Sequence, residues 1–171
     1  APLLDTFAAL PGDIEAVALT PSKRVKPDGS IMDVEHGASI RVRVRPDAPI
    51  QIALTGHYDT VFPAAHEFQI PWREGPTLRG PGTADMKGGL AAMMGAVKAL
   101  ADAGRPHGGE ILLAAVADEE YASLGTEDLV TRYHPDAAIV TEPTALDICL
   151  AHKGFAWFEV TTRGRAAHGS R

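Results

Sequence analysis

A chain of 171 residues with 45% hydrophobic and 22% charged content has the make-up of an ordinary globular domain, long enough to bury a sizeable core. Its formal net charge of −6 and the lack of any Lys/Arg run exclude a nucleic-acid surface. No apolar stretch reaches the roughly 18 residues that span a membrane, no signal peptide is visible, and the single Cys149 allows no internal disulfide, so a cytoplasmic protein is expected. The chain has no initiator Met and stops at "RAAHGSR" without a terminating element, as expected of a piece of a longer protein.

Leu3, Leu4, Phe7 and Leu10 recur at helical spacing, and Pro11-Gly12 ends that helix. "IEAVALTP" reads as a strand. "SIRVRVR" alternates Ile40, Val42 and Val44 with Arg41, Arg43 and Arg45, a strand with one wet face, expected to be antiparallel or near an edge. "IQIALTG" (50–56) is a more buried strand, followed by a Pro- and Gly-rich loop over 62–82, of a length that usually carries function or mobility. A helix over 86–103 is stopped by Gly104, and the unbroken apolar run "EILLAAVA" (110–117) predicts a strand covered on both faces. "TEDLVTRYH" predicts a short helix with Thr126 as its N-cap, and "AAIV" (137–140) another buried strand. "DICLAH" and "FAWFEVTTRG" read as two further strands separated by Lys153-Gly154. The alternation of strand and helix argues for an α/β fold, a mostly parallel mixed sheet sandwiched by helices.

Ligands of open α/β sheets sit beyond the carboxyl ends of the strands. Here those ends carry His57 and Asp59 after the strand 50–56, Asp118, Glu119 and Glu120 after 110–117, and Glu142 after 137–140, while Asp85 opens the helix that follows "RGPGTA". Each group alone could be a solvated turn. Gathered at one rim they repel, by about 1 kcal/mol per pair at 4 Å in water and about 4 kcal/mol at an effective dielectric of 20. Lys87 supplies too little positive charge to offset this, so a bound cation is expected. Imidazole mixed with carboxylates suits zinc, with His57 as a ligand and Asp59 fixing its tautomer. Glu119 and Glu120 point to opposite sides of an extended segment, so one can bind metal while the other takes a proton from water.

The motifs "GHYDTV", "RGPGTADMKGG", "ADEE" and "TEPT", in that order, resemble the dinuclear zinc amidohydrolases, a family of aminoacylases, glutamate carboxypeptidases, acetylornithine deacetylases and succinyl-diaminopimelate desuccinylases. The resemblance runs from about Ala38 to Arg171 and lies nearest the glutamate carboxypeptidase branch. It implies that His57, Asp85 and Glu142 bind one zinc, that Asp85 bridges to a second zinc held with Glu120, and that Glu119 is the general base with Asp59 supporting His57. A cis Asp85–Met86 peptide is also implied. The same resemblance makes residues 1–153 the N-terminal part of a catalytic domain and 154–171 the start of a small α+β lid and dimerisation domain, with His168 helping to polarise the substrate carbonyl across a homodimer. The other histidines (36, 66, 107, 134 and 152) match no ligand motif and are expected to be surface or loop residues.

The activity implied is hydrolysis of an amide in a peptide or N-acyl amino acid, glutamate-carboxypeptidase-like, with two zinc ions per full-length subunit and Co2+ or Mn2+ able to substitute. No nucleic-acid or membrane partner is expected. Deacetylase or desuccinylase activity is the near alternative, and a non-catalytic metal-binding relative the distant one. The family's last ligand to the second zinc, a histidine further along, matches nothing here. The 171 residues alone are therefore expected to hold one tight zinc and to be inactive.

Overall fold

The computed structural model describes residues 2–26, 28–104, 107–154, 156, 158 and 160–170. Helix α1 (Pro2–Phe7) leads into β1 (Asp13–Ala18), the hairpin of β2 (Ser22–Val25) and β3 (Ile31–Val34), then β4 (Ala38–Val44) and β5 (Gln51–His57). A long connection holds the small hairpin of β6 (Trp72–Glu74) and β7 (Thr77–Arg79). After it come α2 (Gly88–Asp102), β8 (Glu110–Val116), α3 (Glu119–Ala122), α4 (Leu124–Arg132) and β9 (Ala137–Val140). Five strands form one sheet in the order β1-β4-β8-β5-β9. β5 lies parallel to both β8 and β9, whereas β4 runs antiparallel to β8 and to β1. This is a mixed α/β sheet with helices on both faces.

The period-two pleat of β8 builds both layers of the core. Leu113 and Ala115 join Ile40 and Val42 under Phe7 of α1 and Leu90, Met93 and Val97 of α2. Leu112, Ala114 and Val116 face the other way, onto Leu129 of α4 and the flanking Tyr133. The central, doubly covered strand expected from "EILLAAVA" is thus β8.

Five expectations about the elements need correction. The arginine face of β4 is not wet: Arg41 is buried, paired with Asp128 of α4 and lying 5.3 Å over the Tyr133 ring, while Arg43 binds Glu110 at 2.6 Å. Paired carboxylates and an aromatic ring let guanidinium groups stand where apolar side chains otherwise would. β9 is not buried either. Among the described residues it is the end strand, paired with β5 alone, and all four of its residues are exposed. Residues 147–152 form no strand, and Leu146, Ile148 and Leu150 stand almost fully exposed, with no neighbouring strand among the described residues to pair them. Helix α4 begins at Leu124, so Thr126 sits inside it rather than at its cap. In the 155–164 strand, Phe155, Trp157 and Glu159 lie outside the described residues, and residues 160–164 are not in a strand.

Candidate metal centre

His57 ends β5, between β8 and β9, with its side chain almost fully buried. Its backbone N–H donates to Met86 Sδ at 3.1 Å, and Met86 is itself fully buried against the strand. Gly56 makes that approach possible, because any Cβ there would run into the Met86 side chain. The segment Thr83–Lys87 is a wide turn in which Asp85 and Met86 leave helical geometry, and the Asp85–Met86 peptide is cis, as the resemblance implied. The turn presents Asp85 Oδ1 to His57 Nε2 at 3.0 Å. α2 then starts with Gly88 and Gly89. A side chain at Gly89 would collide with the carbonyl of Thr141, so the bare glycine lets the helix start pack beside the end of β9 that carries Glu142.

Three strand ends and this turn therefore meet. Glu142 Oε1 lies 3.7 Å and Glu119 Oε2 3.8 Å from His57 Nε2. Two overlapping sets of donor atoms fall within 4.8 Å of one another, His57 with Asp85 and Glu120, and His57 with Glu119 and Glu142. Ligands held at about 2.0–2.2 Å in a tetrahedron stand about 3.3–3.6 Å apart. The carboxylates found 3.0–3.8 Å from Nε2 bracket that spacing, within reach of a shared ion after small side-chain adjustments. One imidazole among four carboxylates is a donor set that fits a divalent metal ion.

The family model for peptidase family M20/M25/M40 matches residues 53–165. The chain belongs to this family. Among curated relatives, a probable succinyl-diaminopimelate desuccinylase of Staphylococcus aureus (strain Mu50) is 36% identical over 145 residues, covering 80% of this chain and 36% of that protein. One of Staphylococcus epidermidis (strain RP62A) is 34% identical over 153 residues, covering 84% and 37%. The chain spans about a third of the length of these relatives. The crystal structure of human carnosine dipeptidase 1 superposes with a TM-score of 0.63 at 19% identity, over 82% of this chain and 31% of that one, and so shares the fold.

Membership of an M20 family implies a divalent metal, and the electrostatics of the cluster fit one. Burial raises the Glu120 carboxyl above its ordinary range, reinforced by the charges of Asp85, Glu119 and Asp59 against a smaller opposing pull from His57. Glu142 is raised by burial, which outweighs attraction to His57, and by Asp85, Glu119 and Glu120. Burial alone would lower the His57 imidazole, but Asp59, Asp85 and Glu142 together push it up to about 9. Acids held above their ordinary range and an imidazole held above its own describe a site with surplus negative charge, which a cation neutralises.

Asp59 has a larger part than expected. Its carboxylate stands 3.6 Å from His57 Nδ1, while its own carbonyl is nearer, at 3.2 Å. The carboxylate oxygens instead accept the backbone N–H groups of Glu119 (3.2 Å) and Glu120 (3.1 Å), one each. Asp59 thereby ties the β5 end to the turn that carries both glutamates. On that turn Asp118 takes a left-handed conformation and faces His36 at 3.4 Å, and His36 Nε2 meets Ser22 Oγ at 2.8 Å. His36 lies on the loop before β4, as expected of a surface or loop residue, but its side chain is buried; no motif signalled this, because its partners come from β2 and from the turn after β8. His168 joins neither donor set. It lies on the exposed C-terminal stretch, with Nδ1 bonded to Ser170 Oγ at 2.7 Å.

Proposed function

We propose that the whole protein is a zinc-dependent amidohydrolase acting on an N-acyl amino acid or small peptide. The observation that carries this is the convergence of His57, Asp85, Glu119, Glu120 and Glu142 at one rim of the sheet. In this reading His57, Asp85 and Glu142 hold one zinc, and Asp85 and Glu120 hold a second together with a histidine from elsewhere in the protein. Such ions supply Lewis acidity, acidifying water and polarising the scissile carbonyl. Glu119 accepts the proton of the attacking water and returns it to the leaving amine. Asp59 holds Glu119 in place through its backbone N–H.

Residues 154–171 are read as the start of a lid domain, and His168 as the group that helps polarise the carbonyl across a homodimer contact. The 36% identity to a probable desuccinylase supports placing N-acyl amino acids ahead of a glutamate-carboxypeptidase substrate. The test is Glu119→Gln in the full-length protein. The amide is nearly isosteric but cannot take a proton, so zinc content stays constant while turnover of an N-acyl amino acid falls by about 10²-fold or more. Undiminished turnover would move the base elsewhere, with Glu120 the first residue to examine.

A further inference from the structure

Next to the metal cluster lies a cleft of about 420 Å³, within the range of small-ligand pockets. Its lining includes Asp85 and Glu120, so it adjoins the carboxylates of the proposed metal site. The wall comes from the connection between β5 and α2. Phe62 and Phe68 meet edge to face with centroids 5.1 Å apart, Phe68 and Trp72 do so at 6.2 Å, and Val61 and Leu78 extend the same apolar surface. These are not loose side chains. Gln69 Nε2 donates to the carbonyls of Phe62 (2.7 Å) and Pro63 (3.2 Å), the Phe68 N–H donates to His66 Nδ1 (3.1 Å), and the β6–β7 hairpin carries Trp72 and Leu78. Yet Val61, Trp72 and Leu78 are about half or more exposed, an apolar surface with no covering partner among the described residues.

The charge around the cleft narrows what it takes. Arg79, which lines it, is paired with Glu74 across the hairpin at 3.0 Å, and Asp85 and Glu120, which also line it, belong to the proposed metal site. An apolar group meets complementary surface on these rings, whereas a carboxylate set against them gives up hydration that the rings do not replace. We propose that this cleft is the specificity pocket for an aromatic or branched apolar group adjoining the scissile amide, with Trp72 and Leu78 setting the preference. The inference rests on the amide-hydrolysis reading above.

The experiment compares N-acetylalanine, N-succinylalanine, N-(4-phenylbutyryl)alanine and N-acetylphenylalanine on the full-length, zinc-loaded enzyme. The two aromatic substrates place the apolar group on the acyl side and on the amine side in turn. One of them is expected to exceed the succinyl substrate in kcat/KM by about 10-fold or more, and Trp72→Ala or Leu78→Asp to lower its ratio to N-acetylalanine by about 10-fold, with Trp72→Phe restoring most of it. Preference for the succinyl substrate, or an equal fall on every substrate, overturns the proposal. A second readout needs neither metal nor turnover. In metal-free protein with Trp72 kept as the one tryptophan, Trp157 and any other replaced by Phe, its fluorescence is titrated with 4-phenylbutyrate and with succinate. A saturable change with phenylbutyrate alone supports the pocket, and no change, or an equal response to succinate, refutes it. Persistent turnover by Glu119→Gln would instead sink the catalytic reading, leaving the fluorescence result to decide the pocket.

Discussion

Asp59 shows how much one carboxylate can organise. Its position two residues after His57 made it visible in the sequence as a partner for the imidazole, and the structure keeps it beside that ring. Its acceptance of the Glu119 and Glu120 N–H groups was not legible, because that depends on how the turn after β8 aims its backbone. Asp59→Asn keeps the shape but leaves one acceptor oxygen where two are used. Zinc affinity measured by calorimetry is expected to fall about 10- to 100-fold, the usual result of losing support behind a metal ligand. An unchanged affinity would mean that the ring and the turn hold themselves.

At the scale of elements, the joint between β5 and the Asp85 turn is set by a glycine. Gly56→Ala pushes a methyl group into Met86, and overpacking of this kind is expected to destabilise the fold by about 1–3 kcal/mol in chemical denaturation, with weaker zinc binding alongside. Wild-type stability in that variant would show that Met86 can move freely. A second joint pins β4 to β8. Glu110 is buried and binds Arg43 and the Asp47 N–H, and the bond to Arg43 is the main reason its carboxyl lies below the ordinary 4.5. Because the folded value is depressed, this stabilisation is present above the unfolded value of 4.5 and is lost as pH falls through the folded one. Glu110→Gln is expected to cost about 1–3 kcal/mol at pH 7, and the gap to wild type to close on acidification below 4.5. A gap independent of pH would contradict the pairing. The arginines of β4 were misread for a related reason: alternation reports which residues share a face, but not that Asp128 and Tyr133, about 90 positions away, would cover it.

For the whole molecule, the doubly covered centre of the sheet was legible because unbroken apolar runs such as 110–117 leave few other placements. The exposure of β9 was not, since an apolar four-residue run reads the same whether or not anything packs on it; Ile139 and Val140 are more than half exposed. The site was the most legible feature, because strand ends in an α/β sheet converge by topology, and the residues at 57, 85, 119, 120 and 142 do meet. Their individual roles rest on coordination, which anomalous diffraction at the zinc edge from crystals of the zinc-loaded 171-residue chain reads directly. The expected result is one strong peak at about 2.0–2.2 Å from His57 Nε2 and from carboxylate oxygens of Asp85 and Glu142, with weak or no density between Asp85 and Glu120. A zinc peak elsewhere, or one that His57 Nε2 does not touch, would contradict the account at its centre.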